Sequence, residues 1–64
     1  MNRYYEKNYV VFLDENGDVY ESVDFPTYKD AETYCMERDW TEIREGGLIL
    51  YLDIRRRYEK VVEE

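Results

Sequence analysis

The chain has 64 residues, with 16 Asp plus Glu, 9 Lys plus Arg and no His, so its formal charge is −7. That length holds one small domain with a modest core. The absence of His excludes His-based acid–base catalysis, a Ser-His-Asp triad and His-containing zinc sites.

One Cys excludes an intramolecular disulfide. The acidic balance opposes direct binding to nucleic acid or to an anionic membrane. Eight Tyr, two Phe and one Trp set the chain apart from a disordered acidic tail, which is poor in aromatics. Met1 to Lys7 lacks the apolar segment of a signal peptide. The longest uncharged apolar run, Leu48 to Leu52, is too short to span a bilayer. The expectation is a soluble intracellular protein of one domain, residues 1–64, with frayed ends over 1–7 and 59–64.

Tyr9-Val10-Val11-Phe12-Leu13 is β-branched and aromatic and reads as a strand. Asp14-Glu15-Asn16-Gly17-Asp18 follows, and Asn-Gly between apolar runs signals a hairpin. Val19 to Phe25 is the return strand. A two-residue loop pairs Leu13 with Tyr20 and Val10 with Val23. A three-residue loop with Gly17 in the left-handed region pairs Leu13 with Val19 and Tyr9 with Val23. The second choice puts Tyr9, Val11, Leu13, Val19, Val23 and Phe25 on one face, the better set to bury, and is favoured.

Pro26 ends the strand, and Thr27-Tyr28-Lys29-Asp30 has capping-box spacing with Asp in place of Glu. A helix is expected from about Tyr28 to Asp39. Tyr28, Ala31, Tyr34, Cys35 and Arg38 form its inward stripe. Trp40 to Arg44 alternates like a short strand, and Glu45-Gly46-Gly47 is a turn. Leu48 to Ile54 is the clearest strand, with Leu48, Leu50, Leu52 and Ile54 facing the core. Arg55 to Glu64 either extends that strand or forms a short helix. The fold class is therefore α+β: an antiparallel sheet of three to four strands, in the order β-β-α-β or β-β-α-β-β, with one helix on one face.

The negative charge belongs to the folded body. Between Asp14 and Asp53 there are twelve acids and three bases, or −9, while the two ends together carry +2. Carboxylates spaced along strands and a helix can occupy Lys/Arg sites that otherwise take a phosphate backbone. A solubilising surface is the plainer alternative. The acids around Asn16-Gly17 are too closely spaced for a calcium loop and fit turn chemistry. Cys35 on the inward stripe reads as a buried structural thiol. Arg55-Arg56-Arg57 is the one basic run, and it offsets the acidic body within the fold or across a dimer.

The candidate partner-binding residues are Asp14, Glu15, Asp18, Glu21, Asp24, Tyr20, Glu37, Trp40, Glu42, Tyr51 and Asp53. No catalytic residue, metal or cofactor is expected. The order of an acidic hairpin (Asp14 to Asp18), an aromatic helix (Tyr28 to Trp40) and an apolar alternating strand (Leu48 to Ile54) resembles small phage-encoded inhibitors of uracil-DNA glycosylase. Anti-CRISPR proteins are similar in size and charge. The helix here carries no Phe, unlike that of the glycosylase inhibitors. The resemblance implies a DNA-mimicking inhibitor that acts in the cytoplasm of a bacterial host on a basic, nucleic-acid-binding protein and dimerises. The alternative is a homo-oligomeric or accessory interaction module without mimicry, using a second sheet face of Val10, Phe12, Tyr20, Ile49 and Tyr51 and the exposed last strand.

Overall fold

A computed structural model describes residues 3–61. Strand β1 (Arg3–Leu13) and strand β2 (Val19–Phe25) form a hairpin. Helix α1 (Tyr28–Glu37) follows, then β3 (Thr41–Arg44), a single 3₁₀ turn over Glu45–Gly47, and β4 (Leu48–Val61). All strand pairs are antiparallel, in the spatial order β2-β1-β4-β3, so the fold is α+β with the sequence order β-β-α-β-β.

The β1–β2 turn is the three-residue kind. The Asp14 amide donates to the Asp18 carbonyl at 3.0 Å, and the Gly17 amide donates to the Asp14 carbonyl at 3.0 Å. Gly17 has φ 83°, which glycine adopts without a Cβ clash. Leu13 pairs with Val19 as that loop requires, but Val10, not Tyr9, pairs with Val23. A bulge at Tyr20, lying between Phe12↔Glu21 and Leu13↔Val19, absorbs one residue. It corrects the expected face. Val10 and Phe12 point into the core, whereas Tyr9, Val11 and Leu13 lie on the opposite side. The reason is β4: Phe12 pairs with Leu52 and Val10 with Ile54, and pairs across a ladder share a face. The expected second face loses Val10 and Phe12 for the same reason and keeps Ile49 and Tyr51.

The core is Val10, Phe12, Ala31, Cys35, Leu50 and Leu52, packed by the half-buried Val23, Phe25, Tyr34, Leu48 and Ile54. Helix α1 lies on this face because Ala31 and Cys35 are one turn apart and fully covered. Thr27 caps it, its Oγ1 accepting from the Asp30 amide at 3.1 Å. The helix ends two residues before the expected Asp39. The Trp40 amide turns back to the Cys35 carbonyl at 2.8 Å, and Asp39 and Trp40 both take left-handed φ, 54° and 60°. Tyr34 meets Phe12 edge-on at 6.3 Å and Phe25 at 5.1 Å. The Arg38 guanidinium covers its outer side at 3.6 Å from the ring centre.

β1 and β4 pair without interruption from Leu13↔Tyr51 to Arg3↔Val61. Residues 3–7 and 59–61, which the sequence leaves frayed, are therefore strands. Beyond Asn8↔Phe25 the hairpin partner β2 is gone, and the two strands continue as an arm within a molecule 49 × 22 × 16 Å. Tyr5 donates to Glu59 at 2.7 Å, and Lys7 and Arg57 pair with Asp24 and Glu59 along the arm. The expected ends 1–2 and 62–64 lie outside the described residues. No helix among the described residues is long and apolar enough to cross a membrane.

Candidate functional site

The β1–β2 turn and the β3–β4 turn come together at the end of the sheet opposite the arm. Between them is a hollow of about 390 Å³ lined by Asp14, Glu15, Asn16, Gly46, Gly47, Leu48 and Ile49. Asp14 organises its own turn: its Oδ1 accepts from the amides of Asn16 at 2.8 Å and Asp18 at 3.0 Å. The carboxylates of Glu15, Asp18 and Glu45 are exposed around the hollow's end and make no ion pair among the described residues. On the helix side Asp30, Glu37 and Asp39 are exposed and likewise make no ion pair among the described residues.

The other acids are engaged. Arg44 on edge strand β3 donates through Nη1 and Nη2 to Glu21 on the opposite edge strand β2, at 2.8 and 3.2 Å, and through Nη2 to Glu42 at 3.1 Å. The guanidinium lies 5.4 Å from the Phe12 ring centre and 5.9 Å from that of Tyr20. One arginine thus closes the end of the core that the helix leaves open. Hydrogen bonding to Arg44 holds the Glu21 carboxyl below the ordinary glutamate range, against partial desolvation. Asp24 sits between Lys7 (3.1 Å) and Arg57 (3.7 Å), and its hydrogen bond holds the Lys7 ammonium above its ordinary value. Asp53 contacts Arg55 at 3.6 Å and accepts from the Ile54 amide at 3.0 Å. Burial, then the nearby Asp53 charge, pushes the Cys35 thiol up, so it is no thiolate nucleophile at neutral pH.

The candidate residues therefore divide. Asp14, Glu15 and Asp18 gather at the turn end, and Tyr51 lies nearby on the sheet face away from the helix, paired with Leu13 and Thr41. Glu21, Glu42 and Tyr20 surround Arg44, Asp24 lies at the root of the arm, and Asp53 sits between the two ends. Glu37 ends the helix, and Trp40 stands in the left-handed turn after it. Glu45 and Ile43 stand outside the candidate set that the sequence suggests. Ile43 is 72% exposed beside Ile49 on the outer face. The alternation of Trp40 to Arg44 carried the signal, once β3 is taken as an edge.

No family model matches the chain, and neither a curated protein nor a solved structure is significantly similar to it.

Proposed function

We propose that the protein is a non-enzymatic acidic binding protein that blocks a positively charged site on a nucleic-acid-processing protein, as a DNA mimic encoded by a phage would in a bacterial cytoplasm. What supports this reading is the division of its carboxylates. Lys7, Arg44, Arg55, Arg56 and Arg57 are all occupied by acids of the sheet and arm. Glu15, Asp18 and Glu45 at the turn end, and Asp30, Glu37 and Asp39 by the helix, keep their charge for a partner. Exposed apolar side chains beside the first group, Ile43, Ile49 and Tyr51, add contact area that carboxylates alone lack. Long-range attraction of this kind steers a basic partner and weakens as salt rises.

The test is capture from a bacterial lysate by the immobilised protein, with the triple variant Glu15→Lys/Asp18→Lys/Glu45→Lys as control. The reading expects a basic nucleic-acid-binding protein, retained at low salt, released at high salt and missed by the variant. Retention that ignores both salt and the three substitutions refutes it.

A further inference from the structure

Four stretches of the sheet's edge face no described strand: β2, β3, the short Tyr4–Lys7 stretch of β1 beyond the end of β2, and β4 beyond β3; the first two are blunted. β2 carries the bulge at Tyr20, and β3 is four residues long; both devices oppose pairing with another chain. β4 is different. β3 covers it only from Leu48 to Tyr51, and the Leu52 amide donates to the Trp40 carbonyl at 2.9 Å. From Asp53 to Val61 it has β1 on one side and nothing described on the other. The arm it forms with Arg3–Lys7 is two-stranded, and two strands without a covering layer are marginal in water. Tyr4 and Tyr58 on that arm are 62% and 69% exposed.

We propose that the free edge of β4 pairs antiparallel with β4 of a second copy about a two-fold axis, giving one continuous eight-stranded sheet. This inference stands apart from the partner-blocking function. Backbone alternation fixes which groups take part. The Leu52 amide points to the β3 side, so Arg56, Tyr58 and Lys60 present their amides and carbonyls on that same edge; Ile54 presents its carbonyl there, its amide being held by Asp53 Oδ1 at 3.0 Å. A two-fold axis perpendicular to the sheet pairs residues of equal parity, which matches this set. Side chains then choose the register. With Arg57 on the axis, Arg55 faces Glu59 of the second copy twice, and Arg56 faces Tyr58 of the second copy twice. The sole like-charge pair is Arg57 with its equivalent, and each Arg57 already holds its own Glu59 at 2.9 Å. Sliding one way sets Arg55 against Arg57 and Asp53 against Glu59, both twice. Sliding the other way gains Arg57 against Glu59 twice but sets Arg56 against Lys60 twice, which cancels it. Like charges directly opposite are unfavourable, so the first register wins. The contact is isologous and closes at two copies.

The test combines sedimentation equilibrium with amide hydrogen exchange on the full chain. The wild type is expected at twice the 7.9 kDa chain mass, with the Arg56 and Tyr58 amides protected and that protection lost on dilution. Arg56→Pro removes a donor that the chain itself does not use. It should raise the dimer dissociation constant by at least ~tenfold while the far-ultraviolet circular dichroism is kept. A wild type that stays at 7.9 kDa overturns the proposal. So does a dimer that Arg56→Pro leaves intact, one whose Arg56 and Tyr58 amides exchange freely, or an assembly that grows past two copies. If Arg56→Pro unfolds the chain, Arg55→Glu replaces it, with the same expected weakening and restoration by adding Glu59→Lys.

Discussion

At the scale of single residues, three positions carry local tension. Asn8 is 5% exposed at the point where β2 ends, and its Oδ1 has no hydrogen-bond partner among the described residues. A buried orphan acceptor is destabilising, and valine fits a strand better. Asn8→Val should therefore stabilise the fold by about 1 kcal/mol, read as a rise in the urea midpoint; a fall would mean the amide is satisfied. Asp39 holds φ 54° with a Cβ that this region disfavours. Asp39→Gly should raise the midpoint by about 1 kcal/mol of stability. Glu21 supplies a pH dependence. Its folded pKa lies below the unfolded value, so its contribution is full above the unfolded range and is lost as pH falls through the folded pKa. Stability of the wild type should thus drop more steeply below about pH 4 than that of Glu21→Gln, measured by urea unfolding from neutral pH downward. Equal slopes would remove Arg44–Glu21 as an acid-sensitive clasp.

At the scale of elements, the hairpin turn, the Ala31–Tyr34–Cys35 part of the helix stripe (Tyr28 and Arg38 are exposed) and the alternation of β4 are legible because each rests on local chemistry. Asn16-Gly17 sets the turn, Thr27 the cap, and Leu50 and Leu52 the inner face. The face of β1 is not legible in the sequence, because Val10, Val11 and Phe12 are all apolar and so do not show an inside. Only pairing with β4 decides it, and that contact spans most of the chain. The bulge at Tyr20 reconciles a three-residue turn with the β4-imposed register, and no local signal in Val19 to Phe25 announces it. The ends, expected to fray over 1–7 and 59–64, carry no apolar alternation, and Arg55 to Glu64 alone does not choose between strand and helix. Their pairing depends on ion pairs and on the Tyr5–Glu59 bond, which link residues far apart in sequence. Of the candidate site, the turn acids were readable from Asp14 to Asp18. Which acids stay free was not, because Arg44 reaches Glu21 across the whole sheet. The core is small, so its central members matter. Leu50→Ala, at a fully buried position between β1 and β3, should cost about 2–5 kcal/mol and leave the domain largely unfolded. A cooperative native-like melt from that variant would place the core elsewhere.

At the scale of the whole molecule, the net charge of −7 separates into two regions. Lys7, Arg44, Arg56 and Arg57 hold carboxylates of the arm and sheet, while among the described residues the turn end keeps unpaired acids beside exposed Ile43, Ile49 and Tyr51, and the helix side keeps a second unpaired set on the other face. Exposed ion pairs contribute little to stability one by one, so on the proposed function this separation serves recognition rather than folding. The most direct measurement is the salt dependence of affinity for the captured basic partner, wild type against Glu15→Lys/Asp18→Lys/Glu45→Lys. The account predicts wild-type affinity that falls steeply with salt, and a variant that folds but binds weakly at every salt concentration. A flat salt response shared by both proteins would contradict it.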